Sequence, residues 1–127
     1  MITVTNRDNL RLLGSPTAMY EGRDHGAGVS LFWVDSPPGS GPDFHWHPYT
    51  ETWVVLQGEA RIEAGEDRLR ARTGYVVTIP AETVHRFRSC GSGNLQMLCI
   101  HASPTIIQTF VESPPRPSEC VDSSGSG

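Results

Sequence analysis

No apolar stretch in this chain reaches the length needed to cross a membrane. The opening M-I-T-V-T-N-R-D lacks the apolar core of a secretory leader. No basic cluster stands out either. The densest basic run, Arg68, Arg70 and Arg72, alternates with Leu69 and Ala71 as the solvated face of a strand would, and the formal net charge is -4. That balance speaks against a nucleic-acid surface. Cysteine is scarce and odd in number. Cys90, Cys99 and Cys120 form no C-x-x-C pair, so neither a disulfide framework nor a zinc knuckle is expected, and a reduced, cytoplasmic setting fits. Helix-period patterns are nearly absent, and no internal repeat is visible.

Glycine and proline are plentiful instead, thirteen and ten in 127 residues. Such a length holds one domain with a real core and is too short for two. Turn residues at this density, without helical periodicity, predict an all-β fold. The first thirteen residues read as a possible short strand and then a strand ending at Leu12 and Leu13, before Gly14-Ser15-Pro16. Residues 29–34, V-S-L-F-W-V, form a strong strand pattern, closed by the S-P-P-G-S-G-P loop at 36–42, where proline lacks the ladder donor. Further strands are expected at 50–57, 60–64, 68–72, 75–79, 84–88 and 95–102, and residues 105–111 read as a short helix or an edge strand. Many short strands at regular turn spacing point to a sandwich or barrel spanning 1–111. From Glu112 onward the chain is Pro/Ser/Gly-rich with little to bury, and a disordered tail is expected over 112–127.

Four residues carry most of the chemistry: His45, His47 and Glu51 in H-W-H-P-Y-T-E, and His85 in I-P-A-E-T-V-H. Side chains two apart on a strand share a face, roughly 6.6 Å apart along it. His45 and His47 therefore aim at one point, and the turn at Pro48 and Tyr49 lets Glu51 swing back to it. Imidazoles with a carboxylate suit one divalent transition ion, Fe, Mn, Ni, Co, Cu or Zn, without choosing among them. Four such ligands on an octahedral ion leave two positions open for chemistry. The plainer alternative is two surface histidines on a strand beside a solvated glutamate.

At these residues the chain resembles the cupin family. Its first motif, G-x5-H-x-H-x3-E-x6-G, is matched at every spacing by Gly39, His45, His47, Glu51 and Gly58. The second, G-x5-P-x-G-x2-H-x3-N, runs through Gly74, Pro80, Glu82, His85 and Ser89. Glu82 replaces the second glycine and Ser89 the asparagine. Neither position is a metal ligand in the family, so the departures bear on the local turn shape. The resemblance implies a six- to eight-stranded antiparallel jelly-roll barrel with a metal ion in its mouth, held by His45, His47, Glu51 and His85. It also implies a homodimer packed through the N-terminal strands.

Strand parity turns His45, His47, Glu51, Trp53, Val55 and Gln57 inward, with Leu95, Met97, Cys99 and His101 on the last strand and His85 with Phe87. Glu51 is a candidate proton acceptor. His101 reads either as a general acid/base or as a histidine hydrogen-bonded at a strand end. Tyr49 reads either as a contact to a substrate oxygen or as packing in the ligand loop. An apolar lining of Trp53, Val55, Phe87 and Met97 suits a small aromatic or polyketide-like substrate. The expected function is a metal-dependent enzyme of dioxygenase type. Alternatives are a redox-neutral isomerase, lyase or cyclase, and a barrel that binds a small ligand without turning it over. A purely structural metal fits less well, because closed structural zinc sites favour thiolates.

Overall fold

Alternation of buried and part-exposed residues shapes the two strands at the centre of the molecule. Leu95–His101 buries Leu95, Met97, Cys99 and His101, and Glu51–Gln57 buries Glu51, Trp53 and Val55. The computed structural model describes residues 1–112, so the expected tail, Glu112 aside, lies outside the described residues. In chain order the strands are β1 (Ala18–Tyr20), β2 (Ser30–Ser36), β3 (His45–Trp46), β4 (Glu51–Gln57) and β5 (Glu59–Ala64). They continue with β6 (Asp67–Arg72), β7 (Val76–Ile79), β8 (His85–Ser89), β9 (Leu95–His101) and β10 (Thr109–Phe110). Two five-stranded antiparallel sheets result, ordered β1-β2-β9-β4-β7 and β10-β3-β8-β5-β6. The chain crosses between them repeatedly, which makes a single-domain jelly-roll barrel.

The inner faces meet over Trp53, Val55, Ile62, Phe87, Leu95 and Met97. Fully burying a side chain of this size contributes roughly 1.5–3 kcal/mol. At one end of the barrel the same inward positions become polar. Register brings His45 opposite His85 across β3 and β8, and Glu51 opposite His101 across β4 and β9. Period-two alternation thus delivers the polar cluster to the interior by the same rule that delivers the core.

Several expectations give way at the edges. No strand ends at Leu12 and Leu13. The Asn6 side chain accepts from the Asp8 N–H and starts a 3-10 turn over Arg7–Leu10, and Leu13 is left exposed. The first strand is β1, later in the chain and paired with β2. Of the two readings of residues 105–111, the edge strand is the one observed: β10 lies at the edge of its sheet beside β3, and no helix forms there. Gln57 does not face inward. A register shift between Val55 and Gln57 inserts an extra residue, so Gln57 ends up exposed. The all-reduced reading of the cysteines is corrected at Cys90, which is disulfide-bonded, whereas Cys99 is free and buried. No helix among the described residues is long and apolar enough to cross a membrane.

Gly39, Gly58 and Gly74 all have positive φ, at 89°, 93° and 91°, which is why those positions call for glycine. Glu82, standing where the second motif has glycine, keeps the same kind of turn with φ at 65°. Its N–H donates to the His47 carbonyl at 2.7 Å, tying the corner before β8 to the ligand loop. A residue with a Cβ is strained there by roughly 1–2 kcal/mol. Glu82→Gly is therefore expected to keep the fold and raise the unfolding free energy by up to about 1 kcal/mol, once the greater freedom of unfolded glycine is subtracted. Denaturant unfolding measures it, and a loss of stability would contradict the strained corner.

Candidate metal centre

Three chain segments converge on the polar end of the barrel. β3 and the residue after it supply His45 and His47, the start of β4 supplies Glu51, and the start of β8 supplies His85. All four are at most 4% exposed, and one ligand atom from each lies within 4.8 Å of every other. Glu51 Oε1 sits 3.0 Å from His47 Nε2 and 3.1 Å from His85 Nε2. An octahedral ion with bonds of about 2.1 Å spaces adjacent ligand atoms about 3 Å and opposite ones about 4.2 Å apart. The two contacts of Glu51 Oε1 match the adjacent spacing.

Backbone carbonyls set the direction of the three rings. His45 Nδ1 lies 2.7 Å from the Asp43 carbonyl, His47 Nδ1 2.8 Å from that of Ile107, and His85 Nδ1 2.7 Å from that of Thr83. A carbonyl oxygen only accepts, so each Nδ1 carries the hydrogen and donates it. The Nε2 lone pair of each ring is then free to face the common centre, an arrangement typical of histidines that bind metal. His47 Nε2 is buried and has no aligned hydrogen-bond partner despite its short distance to Glu51. A buried polar atom left this way loses its hydration without compensation, and a cation at the centre would supply the partner.

Electrostatics agree with the geometry. Burial holds the His45 pKa down to about 4, so the ring is neutral near pH 7 and can ligate. Burial pushes Glu51 up, but the imidazoles of His101, His47 and His85 outweigh it and hold the carboxyl well below its usual range. Burial raises the Cys99 thiol well above its usual pKa, and the Glu51 charge adds to that, so Cys99 is a small core residue and not a thiolate ligand.

Two further candidates meet beside this cluster. Tyr49 Oη is 2.5 Å from His101 Nδ1, and His101 Nε2 is 3.2 Å from Glu51 Oε2. Strand parity pointed His101 inward, but nothing in the sequence linked it to Tyr49, because the two lie far apart in the chain. An apolar cavity of about 410 Å³ opens on the other side. His45 and Glu51 line its inner end, with Phe32, Val34, Trp53 and Phe87 along its walls. Trp53 and Phe87 were expected in the lining and Phe32 and Val34 were not. Val55 and Met97, expected there too, pack in the core instead. The three carbonyls that orient the histidines also escaped sequence reasoning, since any residue type offers a carbonyl.

Fold and site together define a jelly-roll barrel with a three-histidine, one-carboxylate centre suited to a divalent transition metal ion. The chain belongs to the cupin family: the family model described as cupin domain matches residues 32–101. A Streptomyces cyaneus protein, polyketide synthase CurC, is 32% identical over 68 residues that cover 53% of this chain and 44% of that protein. The chain thus spans less than half of that curated relative. Among solved structures it is similar to a Lactobacillus farciminis oxalate decarboxylase in complex with formate. The TM-score is 0.71 at 20% identity, covering 82% of this chain and 34% of the other. An oxalate oxidase gives a TM-score of 0.71 at 21% identity, covering 85% of this chain and 63% of the other. A Bacillus subtilis oxalate decarboxylase with Mn(II) centres gives 0.69 at 18% identity, covering 80% and 29%. Identities this low speak to the fold alone.

If the four residues hold one ion, metal binding stabilises the native state. Saturating Mn(II) is expected to raise the unfolding midpoint of the wild type by several degrees, about 2.7 kcal/mol at a hundredfold excess over Kd. The midpoint of His47→Ala should stay where its metal-free form has it. Equal shifts in both proteins, followed by calorimetry, would contradict the site.

Proposed function

We propose that this chain is a metal-dependent enzyme acting on a small, uncharged aromatic or polyketide-like molecule. The observation that carries the reading is the cavity ending on two of the four ligands. Its volume, about 410 Å³, lies in the ordinary range for organic ligands and exceeds the needs of a two-carbon diacid. Phe32, Trp53 and Phe87 offer flat apolar surface to a ring system. Among the described residues the lining holds no arginine or lysine, and its charged members are Asp35 and Glu51. Nothing there balances an anionic substrate such as oxalate. Similarity to a polyketide synthase protein supports the same substrate class.

A bound divalent ion supplies Lewis acidity and open coordination positions for substrate oxygen. The chain's own residues do the rest. Trp53 and Phe87 orient the ring, the apolar walls exclude water, and Glu51 takes the proton of an enol or phenol that reaches the inner end. Tyr49 and His101 enter through Glu51, since neither lines the cavity.

The reaction we assign is dioxygenase-type oxidation, with O₂ as co-substrate. A redox-neutral cyclisation is the second reading, favoured by the similarity to a polyketide synthase protein. Metal-loaded protein incubated with polyphenols and linear poly-β-ketones, followed by an oxygen electrode and mass spectrometry, separates them. Oxygen uptake with a gain of two oxygen atoms is the expected result. A product of unchanged mass, or one lighter by a molecule of water, formed without oxygen uptake, would establish the cyclase. Saturable binding with no product from any substrate would overturn the enzyme reading.

A further inference from the structure

The hydrogen bonds of His101 run opposite to those of the three ligand histidines. Each ligand histidine meets a carbonyl at Nδ1, whereas His101 Nδ1 meets the Tyr49 hydroxyl at 2.5 Å. The Tyr49 oxygen already accepts the Ile107 N–H at 3.1 Å, which leaves the hydroxyl one hydrogen to give. Its alternative acceptor, the Ile107 carbonyl, is 3.5 Å away and too long to compete. Tyr49 therefore donates to His101 Nδ1, and the ring hydrogen of His101 sits on Nε2. That atom is buried and lies 3.2 Å from Glu51 Oε2. The pair is within hydrogen-bonding distance, although the N–H is not aligned on the oxygen. The other carboxylate oxygen, Oε1, is the one turned to His47 and His85.

We propose that His101 is a positioning residue for the metal centre, not a fifth ligand. Its Nε2–H holds Glu51 Oε2, Tyr49 fixes the tautomer that makes this possible, and Glu51 is left to offer Oε1 to the ion. The backbone closes the arrangement. Ile107 donates its N–H to Tyr49 and accepts from His47 Nδ1 through its carbonyl, so one residue orients a ligand and the positioning pair together. His47 and Tyr49 also stack, with ring centroids 5.2 Å apart and planes 11° from parallel.

The inference rests on the four-ligand reading, and one experiment separates the two. Mn(II) is titrated into the full chain and its Tyr49→Phe, His101→Ala and His101→Gln variants. Free Mn(II) is read by electron paramagnetic resonance, and pulsed measurements count directly bonded imidazole nitrogens. Three imidazoles are expected in the wild type and in every variant. Kd should weaken about 10- to 100-fold in His101→Ala, less in Tyr49→Phe, and recover in part in His101→Gln, whose amide can still donate to Glu51. Unchanged affinity in His101→Ala and Tyr49→Phe would overturn the proposal. So would four bonded imidazoles in the wild type falling to three in His101→Ala. If His101→Ala does not fold, Tyr49→Phe, which loses only a half-buried hydroxyl, decides by its Kd alone. A wild type that binds no Mn(II) fails the four-ligand reading itself and takes this inference with it.

Discussion

A carboxylate kept ionised inside a barrel governs the rest of this structure. Glu51 is 3% exposed, and burial alone would drive its pKa up and neutralise it. Instead the carboxyl is held well below its usual range, foremost by the His101 imidazole. Three other rings, those of His45, His47 and His85, have their Nδ1 hydrogens committed to the carbonyls of Asp43, Ile107 and Thr83. In the neutral form they present lone pairs and not donors to the centre. Lone pairs and a negative charge gathered at one buried point repel one another unless a cation sits among them. A divalent ion is the partner this chemistry calls for.

Precision in such a site comes from the scaffold. Asp43 lies just before β3, Thr83 just before β8 and Ile107 in the stretch between β9 and β10, so three separate segments must be in place for the rings to converge. The Glu82 turn ties two of them, through its hydrogen bond to the His47 carbonyl. Ser89 at the end of β8 binds the loop that precedes β3: the Gly39 N–H donates to its carbonyl at 2.6 Å, and its own N–H donates to the Ser40 carbonyl at 2.9 Å. Three of the four candidate ligands stand on strands and His47 follows β3 directly, so ladder and backbone bonds leave them little freedom.

Local geometry made His45 and His47 legible as a pair, and the second motif of the cupin resemblance supplied His85 to the candidate site. Two histidines two residues apart on a strand must share a face, and the motif glycines occupy positions where φ is positive. β4, β5, β6, β8 and β9 followed from alternation for the same reason. What escaped was set by contacts between distant parts of the chain. The bulge that exposes Gln57 depends on pairing with β9, not on the residues of β4. The 3-10 turn at Arg7–Leu10 depends on one Asn6 side chain that a strand-like pattern hid. The Tyr49–His101 bond joins residues 52 positions apart, and no motif spans them. The cavity walls from β2 become visible only once β2 and β9 are paired. Sequence narrowed the reaction no further than a family of metal chemistries, because residue type at the ligands constrains the ion weakly and the substrate hardly at all.

The central claim is that backbone carbonyls aim three Nε2 lone pairs and one carboxylate oxygen at a single ion. Anomalous diffraction from crystals of the Mn(II)-loaded protein tests it most directly. The expected result is one strong anomalous peak within about 2.3 Å of Nε2 of His45, His47 and His85 and of one oxygen of Glu51, with all three Nδ1–carbonyl hydrogen bonds intact. An ion bound through Nδ1 with those carbonyls released, or an ion held only at exposed carboxylates away from the barrel mouth, would contradict it.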